Sequence, residues 1–175
     1  MKTVLDQLAG YGAYHRDRRN IATHLVGVPM IVFAVVVLLA RPGFMVAGLT
    51  LTPALVALVA AGIYYLLLDI SLGGWLIAVI AAMLWGALEV AAMSTTVWLA
   101  VGVGVFVAGW IIQFIGHYYE GRKPAFVDDI LGLLIGPLFV LAEVVFMLGF
   151  RRKLLNDIEA RIGPTLIRKA QPDAA

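Results

Sequence analysis

The chain has 175 residues, 62% of them hydrophobic and 14% charged, against roughly 45–50% and 25% in soluble domains, so water is not its main solvent. Its net charge of +2 comes from Lys and Arg clustered at chain and helix ends, which suits anionic headgroups and argues against nucleic acid as a partner. Cysteine is absent, which excludes disulfides, zinc–thiolate sites and iron–sulfur clusters and leaves histidine or oxygen for any metal.

Met1 to Arg19 reads as a short amphipathic helix on the membrane surface. Val4, Leu5, Leu8, Tyr11 and Tyr14/His15 recur at helical spacing against Lys2, Asp6, Arg16 and Arg18. No small-residue cleavage pattern follows the first apolar block, so no signal peptide is expected. That block runs from Ile21 to Ala40, with Asn20 as its expected N-cap and Arg41-Pro42-Gly43 as its stop. The second block, Phe44 to Leu68, is long enough to span despite Pro53, and Asp69 closes it. The third, Leu72 to Met93, carries Trp75 and Trp85. The fourth, Thr96 to Tyr119, ends on the interfacial pair Tyr118-Tyr119. These two are expected to form a hairpin around Ser94-Thr95.

The fifth block, Ile130 to Phe150, is interrupted by Gly136-Pro137, with Asp128-Asp129 as the expected cap. Five full spans would place the basic groups Arg16/Arg18/Arg19 and Arg151/Arg152/Lys153 on opposite sides, against the positive-inside tendency. A fifth block that bends back at Gly136-Pro137 keeps both in the cytoplasm, and that version is favoured. The expected fold is all-α: a polytopic transmembrane helical bundle of four to five membrane helices plus the N-terminal amphipathic helix. Residues 1–152 form one membrane-embedded catalytic bundle and residues 153–175 a polar tail, loosely ordered from Gly163. Alanine richness and a tail without an endoplasmic-reticulum signal point to a bacterial inner membrane. A homo-oligomer is left open.

An even number of crossings separates the first helix from the end of the fourth, so His15, His24 and His117 share one membrane face. His15 and His24 are nine residues apart, about 180° of helical rotation, so they can meet only if the helix breaks between them, as a cap at Asn20 would allow. Gln113, His117 and Glu120 make a polar stripe at the end of the fourth helix. Imidazoles without thiolate suit a catalytic iron, zinc, copper or nickel with open positions. From spacing alone, interfacial histidines that only hydrogen-bond at headgroup depth are the preferred reading. Glu143 and Glu89 are functional candidates because they sit in apolar blocks; for Glu89 a buried pair or a protonated carboxyl is the preferred reading. Arg18, Arg19, Arg122 and Lys123 read as headgroup anchors or as a clamp for a carboxylate.

Tyr14-His15, Asn20, His24, Gly27 and Pro29, then Gln113, Gly116-His117, Glu120, Pro124-Ala125, Asp128, Pro137 and Glu143 resemble the motif of a family of small membrane 2-hydroxy fatty acid dioxygenases, formerly a domain of unknown function. The resemblance runs from Tyr11 to about Arg152. It implies an Fe(II) enzyme of fatty acid α-oxidation, which takes a long-chain 2-hydroxy acid and O₂ at a lipid bilayer and gives the acid one carbon shorter. On this resemblance His15, His24 and His117 hold the iron, for which zinc or nickel could substitute in a purified sample. Glu120 and Gln113 orient ligands or act as acid and base, Asn20 and Asp17 support the first two histidines, and the basic residues neutralise the carboxylate. The site would face the cytoplasm.

Three histidines cannot supply the roughly eight ligands of a two-iron membrane hydroxylase, and Ser71 and Ser94 lack the turn of a serine nucleophile. The remaining rival is a non-enzymatic transporter or lipid-binding scaffold, in which Glu143 and Glu89 line a path.

Overall fold

The computed structural model describes residues 2–125, 128 and 130–167, so Asp129 of the expected cap and the tail from residue 168 lie outside the described residues. Among the described residues the protein is all-α apart from one hairpin. Its helices are α1 (Val4–Gly12), α2 (Arg18–Ala40), α3 (Pro53–Leu68), α4 (Ile70–Ala91), α5 (Thr95–Glu120), α6 (Gly132–Met147) and α7 (Arg152–Ile162). Strands β1 (Phe44–Val46) and β2 (Leu49–Leu51) pair antiparallel. By length and composition α2, α4 and α5 can each cross a membrane, and α6 with α7 makes a fourth candidate, bent by 116°. Outward-facing Ile70, Trp75 and Trp85 suit lipid contact.

The chain divides into two units, residues 27–110 and residues 1–26 with 111–175. In the first, the apolar run from Phe44 does not go straight into a helix. Ala47 and Gly48 both have positive φ, 49° and 81°, the mark of a type I′ two-residue turn, and this closes the β1–β2 hairpin. Thr52 then caps α3, accepting from Leu55 N at 3.2 Å, and Pro53 opens the helix, where a missing N–H costs nothing. The second block therefore yields a 16-residue apolar helix, shorter than the block from Phe44 to Leu68. Asp69 is extended and caps α4 through Leu72 N at 2.9 Å. Here α3 and α4 fold back on each other: a Cβ on Gly73 would lie 2.6 Å from the Tyr65 carbonyl, and one on Gly62 would meet Ile77. Val37, Ala40, Ala54 and Ala87 form a small core.

In the second unit a reciprocal Thr3–Asp6 capping box starts α1. The cap of the next helix differs from expectation. Asp17 Oδ1 accepts from Arg19 N at 2.8 Å, so α2 begins at Arg18 and Asn20 lies inside it. The break that separates His15 from His24 is thus the segment Ala13–Asp17, one turn earlier than a cap at Asn20 would put it. The bend in the last apolar block also moves. Pro137 lies inside an unbroken α6, where it forfeits one backbone bond while Ile135, Leu138, Phe139 and Ala142 are buried around it. The chain turns instead between Met147 and Arg152, where Gly149 (φ 84°) and Arg151 (φ 53°) are left-handed. Residues 153–162, expected as tail, all belong to α7, which packs on α1: Ile162 reaches Gly12 and Arg161 pairs with Asp6 at 2.7 Å.

Candidate metal centre

All three histidines belong to the second unit. The last turn of α1 tightens as Ala13 N bonds to Ala9 O, Tyr14 N to Tyr11 O and His15 N to Gly12 O, which swings His15 off the helix. His24 lies one turn beyond Asn20 on α2, and His117 lies in the last turn of α5. Gly121, at φ 66°, ends that helix, with its N–H on His117 O at 3.0 Å. The His15 ring centroid is 4.4 Å from that of His24 and 5.1 Å from that of His117, and His24 and His117 are 5.1 Å apart. One nitrogen from each lies within 4.8 Å of the others, and all three residues are buried.

The tautomers follow from the hydrogen bonds. His15 Nδ1 donates to Tyr11 O at 2.7 Å and His24 Nδ1 donates to Asn20 O at 2.8 Å, which leaves both Nε2 atoms with bare lone pairs. Those atoms face each other at 3.0 Å. Burial first, and then the neighbouring His24, hold the His15 pKa well below the ordinary imidazole value, so no second proton bridges the pair near neutrality. Two lone pairs at this distance repel unless a cation sits between them. Imidazole nitrogens each about 2.1 Å from one ion lie roughly 3.0–3.4 Å apart, so the spacing fits a shared ion. His117 Nδ1 is buried without a hydrogen-bond partner of sound geometry among the described residues, with the Arg122 backbone nearby.

Around the rings, Glu120 reaches back to the His15 turn. Its Oε2 accepts from Arg16 N at 2.9 Å, Asp17 N at 2.8 Å and Asn20 Nδ2 at 3.1 Å, so the end of α5 is buckled to the start of α2. Asn20 also donates to Tyr14 O at 3.3 Å. Gly116 lets these helices close, since a Cβ there would fall 2.0 Å from Thr23 Oγ1 and 2.5 Å from Asn20 Oδ1. Gln113 is buried one turn from His117, and its Oε1 has no hydrogen-bond partner among the described residues; the same holds for Asn20 Oδ1.

The four candidate substrate cations are placed unequally. Arg19 is committed to Asp17 (2.8 Å) and lies 4.5 Å over the Tyr119 ring. Lys123 pairs with Asp128, which also accepts from Tyr14 OH at 2.9 Å. Arg122 donates to Ala13 O at 3.1 Å, and Arg18 is exposed. Glu143 is buried within electrostatic reach of Arg16, whereas Glu89 is exposed, against its preferred reading as a buried carboxyl.

Three features of the site have no sequence counterpart. Tyr11 stacks on His15 at 4.2 Å and 8°, Phe139 approaches the same ring at 5.5 Å, and Arg16 is buried, with its Nε on Gly12 O and His15 O. Tyr11 sits at a helical repeat of apolar residues, which signals packing alone. Tyr11 and Tyr14 also line a cleft of about 210 Å³, together with Ala125, Leu131 and Ile135.

No solved structure matches the chain. It is 33% identical over 157 residues to the 2-hydroxy-palmitic acid dioxygenase MPO1 of Saccharomyces cerevisiae, covering 87% of this chain and 86% of that protein. Residues 1–148 match the family described as 2-hydroxy-palmitic acid dioxygenase Mpo1-like. With most of both chains aligned and the family region spanning the buried histidines, the chain belongs to the Mpo1-like family.

Proposed function

We propose that the protein is an Fe(II)-dependent dioxygenase that shortens long-chain 2-hydroxy fatty acids by one carbon. The observation that carries this reading is the pair of bare Nε2 atoms 3.0 Å apart with a third buried imidazole beside them. His15, His24 and His117 would hold the ion, which when bound supplies the redox and O₂ chemistry and two positions for a 2-hydroxy carboxylate.

The other roles belong to the chain. The Tyr11 and Asn20 carbonyls hold two rings in the ligating tautomer. Glu120, with three donors on one oxygen, is a positioning residue for the His15 turn. Asn20 serves the same turn and orients His24. Gln113 Oε1, a buried acceptor one turn from His117, accepts from the substrate's 2-hydroxyl. Arg18 and Arg122 neutralise the carboxylate, since Arg19 and Lys123 are already engaged by Asp17 and Asp128. The acyl tail lies along apolar helix faces, and the centre faces the cytoplasm from a bacterial inner membrane.

Purified protein loaded anaerobically with Fe(II), given a 2-hydroxy C16 acid and then air, is expected to form a C15 acid. A His15→Ala/His24→Ala/His117→Ala variant is expected to carry no stoichiometric iron and to form none. Iron-loaded wild type that leaves the substrate unchanged would refute the activity.

A further inference from the structure

Past residue 148, where the matched family region ends, the chain returns to the histidine turn. Helix α7 docks on α1 through buried Ile158, Ile162 against Gly12, and the Arg161–Asp6 pair. Gly163 follows at φ 82° and ψ 163°, a conformation essentially reserved for glycine. It sends the next residues alongside Arg16–Arg18 as a parallel strap. Leu166 N donates to Arg16 O at 2.9 Å, and Arg18 N donates to Leu166 O at 2.9 Å. The second bond also satisfies one of the N–H groups that the first turn of α2 leaves open.

Arg16 ties the strap to the site. Its Nη1 donates to Gly163 O at 2.8 Å, while Nε is shared between Gly12 O at 2.9 Å and His15 O at 3.1 Å. One planar guanidinium thus joins the last turn of α1, the His15 peptide and the strap. The residue is only 5% exposed, so it cannot shift without leaving buried polar groups unpaired.

We infer that Arg16 and the strap Gly163–Leu166 are the positioning element of the histidine centre: they fix the turn that carries His15, so a segment outside the matched family region sets ligand spacing at the metal. This rests on the metal reading above. It is tested on full-length protein stripped of metal and titrated with Co(II), whose visible bands report coordination directly, as a fold or stability measurement would not. The variants are Gly163→Ala, which disfavours the turn; Leu166→Pro, which deletes a strap donor; and Arg16→Lys, which keeps the charge and loses the fork. Pro164→Ala, exposed and without an N–H, is the control.

Wild type and Pro164→Ala are expected to bind one Co(II) with the same spectrum. The three strap variants are expected to bind on the order of 10- to 100-fold more weakly, with altered bands and unchanged helical circular dichroism. Should Gly163→Ala lose helix, Leu166→Pro and Arg16→Lys decide. Wild-type affinity and spectrum in the folded strap variants would overturn the inference and leave the metal reading standing. A wild-type protein that binds neither Co(II), Fe(II) nor Zn(II) would overturn both.

Discussion

The two units of the chain are held by different chemistry. Of ten buried polar or charged residues among those described, nine lie in residues 1–26 and 111–175; the tenth, Thr52, only caps a helix in residues 27–110. The α3–α4 hairpin is set by close approach at Gly73 and Gly62 and by small apolar side chains, a matter of volume. The histidine end is set by direction: carboxylate to backbone N–H, guanidinium to carbonyl, imidazole to carbonyl. Buried polar groups cost free energy unless satisfied, and well-packed apolar residues often stabilise as much. Their concentration in one unit therefore fits a need to hold directions there rather than a need for stability.

Substituting polar groups on the two sides sharpens this contrast most. His24→Ala is expected to cost more in metal affinity than the roughly 10- to 100-fold of an outer-sphere partner, whereas Glu89→Gln, exposed in the other unit, leaves bound metal unchanged; elemental analysis of purified protein reads both. Glu120→Gln comes next. It keeps the shape and loses the charge that three donors share, so metal affinity is expected to fall on the order of 10- to 100-fold while turnover per bound metal holds. Full metal with lost turnover would instead make Glu120 an acid or base.

How much of this was legible in sequence follows from the same contrast. In a chain this apolar, Asn20, His24, Gln113, His117 and Glu120 stand out as polar residues at helix ends, and crossing parity puts those ends on one side. The cap was misplaced because Asp17 and Asn20 are both good capping residues three positions apart, and only the bond to Arg19 N separates them. The β1–β2 hairpin was hidden because Phe44–Leu51 is apolar enough to read as helix; Gly48 and Thr52-Pro53 were its signals. The strap could not be read at all. It depends on backbone groups of Arg16, Arg18 and Leu166, which no side chain announces.

Glycine substitutions test volume against direction. Gly73→Ala puts a methyl against the Tyr65 backbone, which cannot move aside as a side chain can. About 1–3 kcal/mol of stability is expected to be lost in thermal unfolding, with metal affinity unchanged. Gly116→Ala pushes instead on Thr23 and Asn20 beside the rings; a comparable stability loss is expected, now with weakened metal binding. Gly102→Ala presses on the Leu38 side chain, with Val37 Cγ1 at an ordinary 3.6 Å; Leu38 can rotate away, and this change is expected to do least of the three.

The smallest effect is expected at the rim of the polar unit. Hydrogen bonding from Arg161, then from Thr3, holds the Asp6 carboxyl far below the usual carboxylate range. A carboxyl depressed in the folded state adds stability above its unfolded pKa, near 4, and that contribution fades as pH falls toward the folded value. Arg161→Gln removes one of those partners and leaves the Thr3 cap. Its melting temperature is expected to lie slightly below wild type at pH 6–8, with the gap closing as pH drops below about 4. Both groups are solvent-exposed, so salt should narrow the gap too. A variant that melts with wild type at every pH and salt would mean that α7 is held to α1 by Ile158 and Ile162 packing alone, as volume holds α3 to α4, and the contrast between the two units would then stop at the histidine turn.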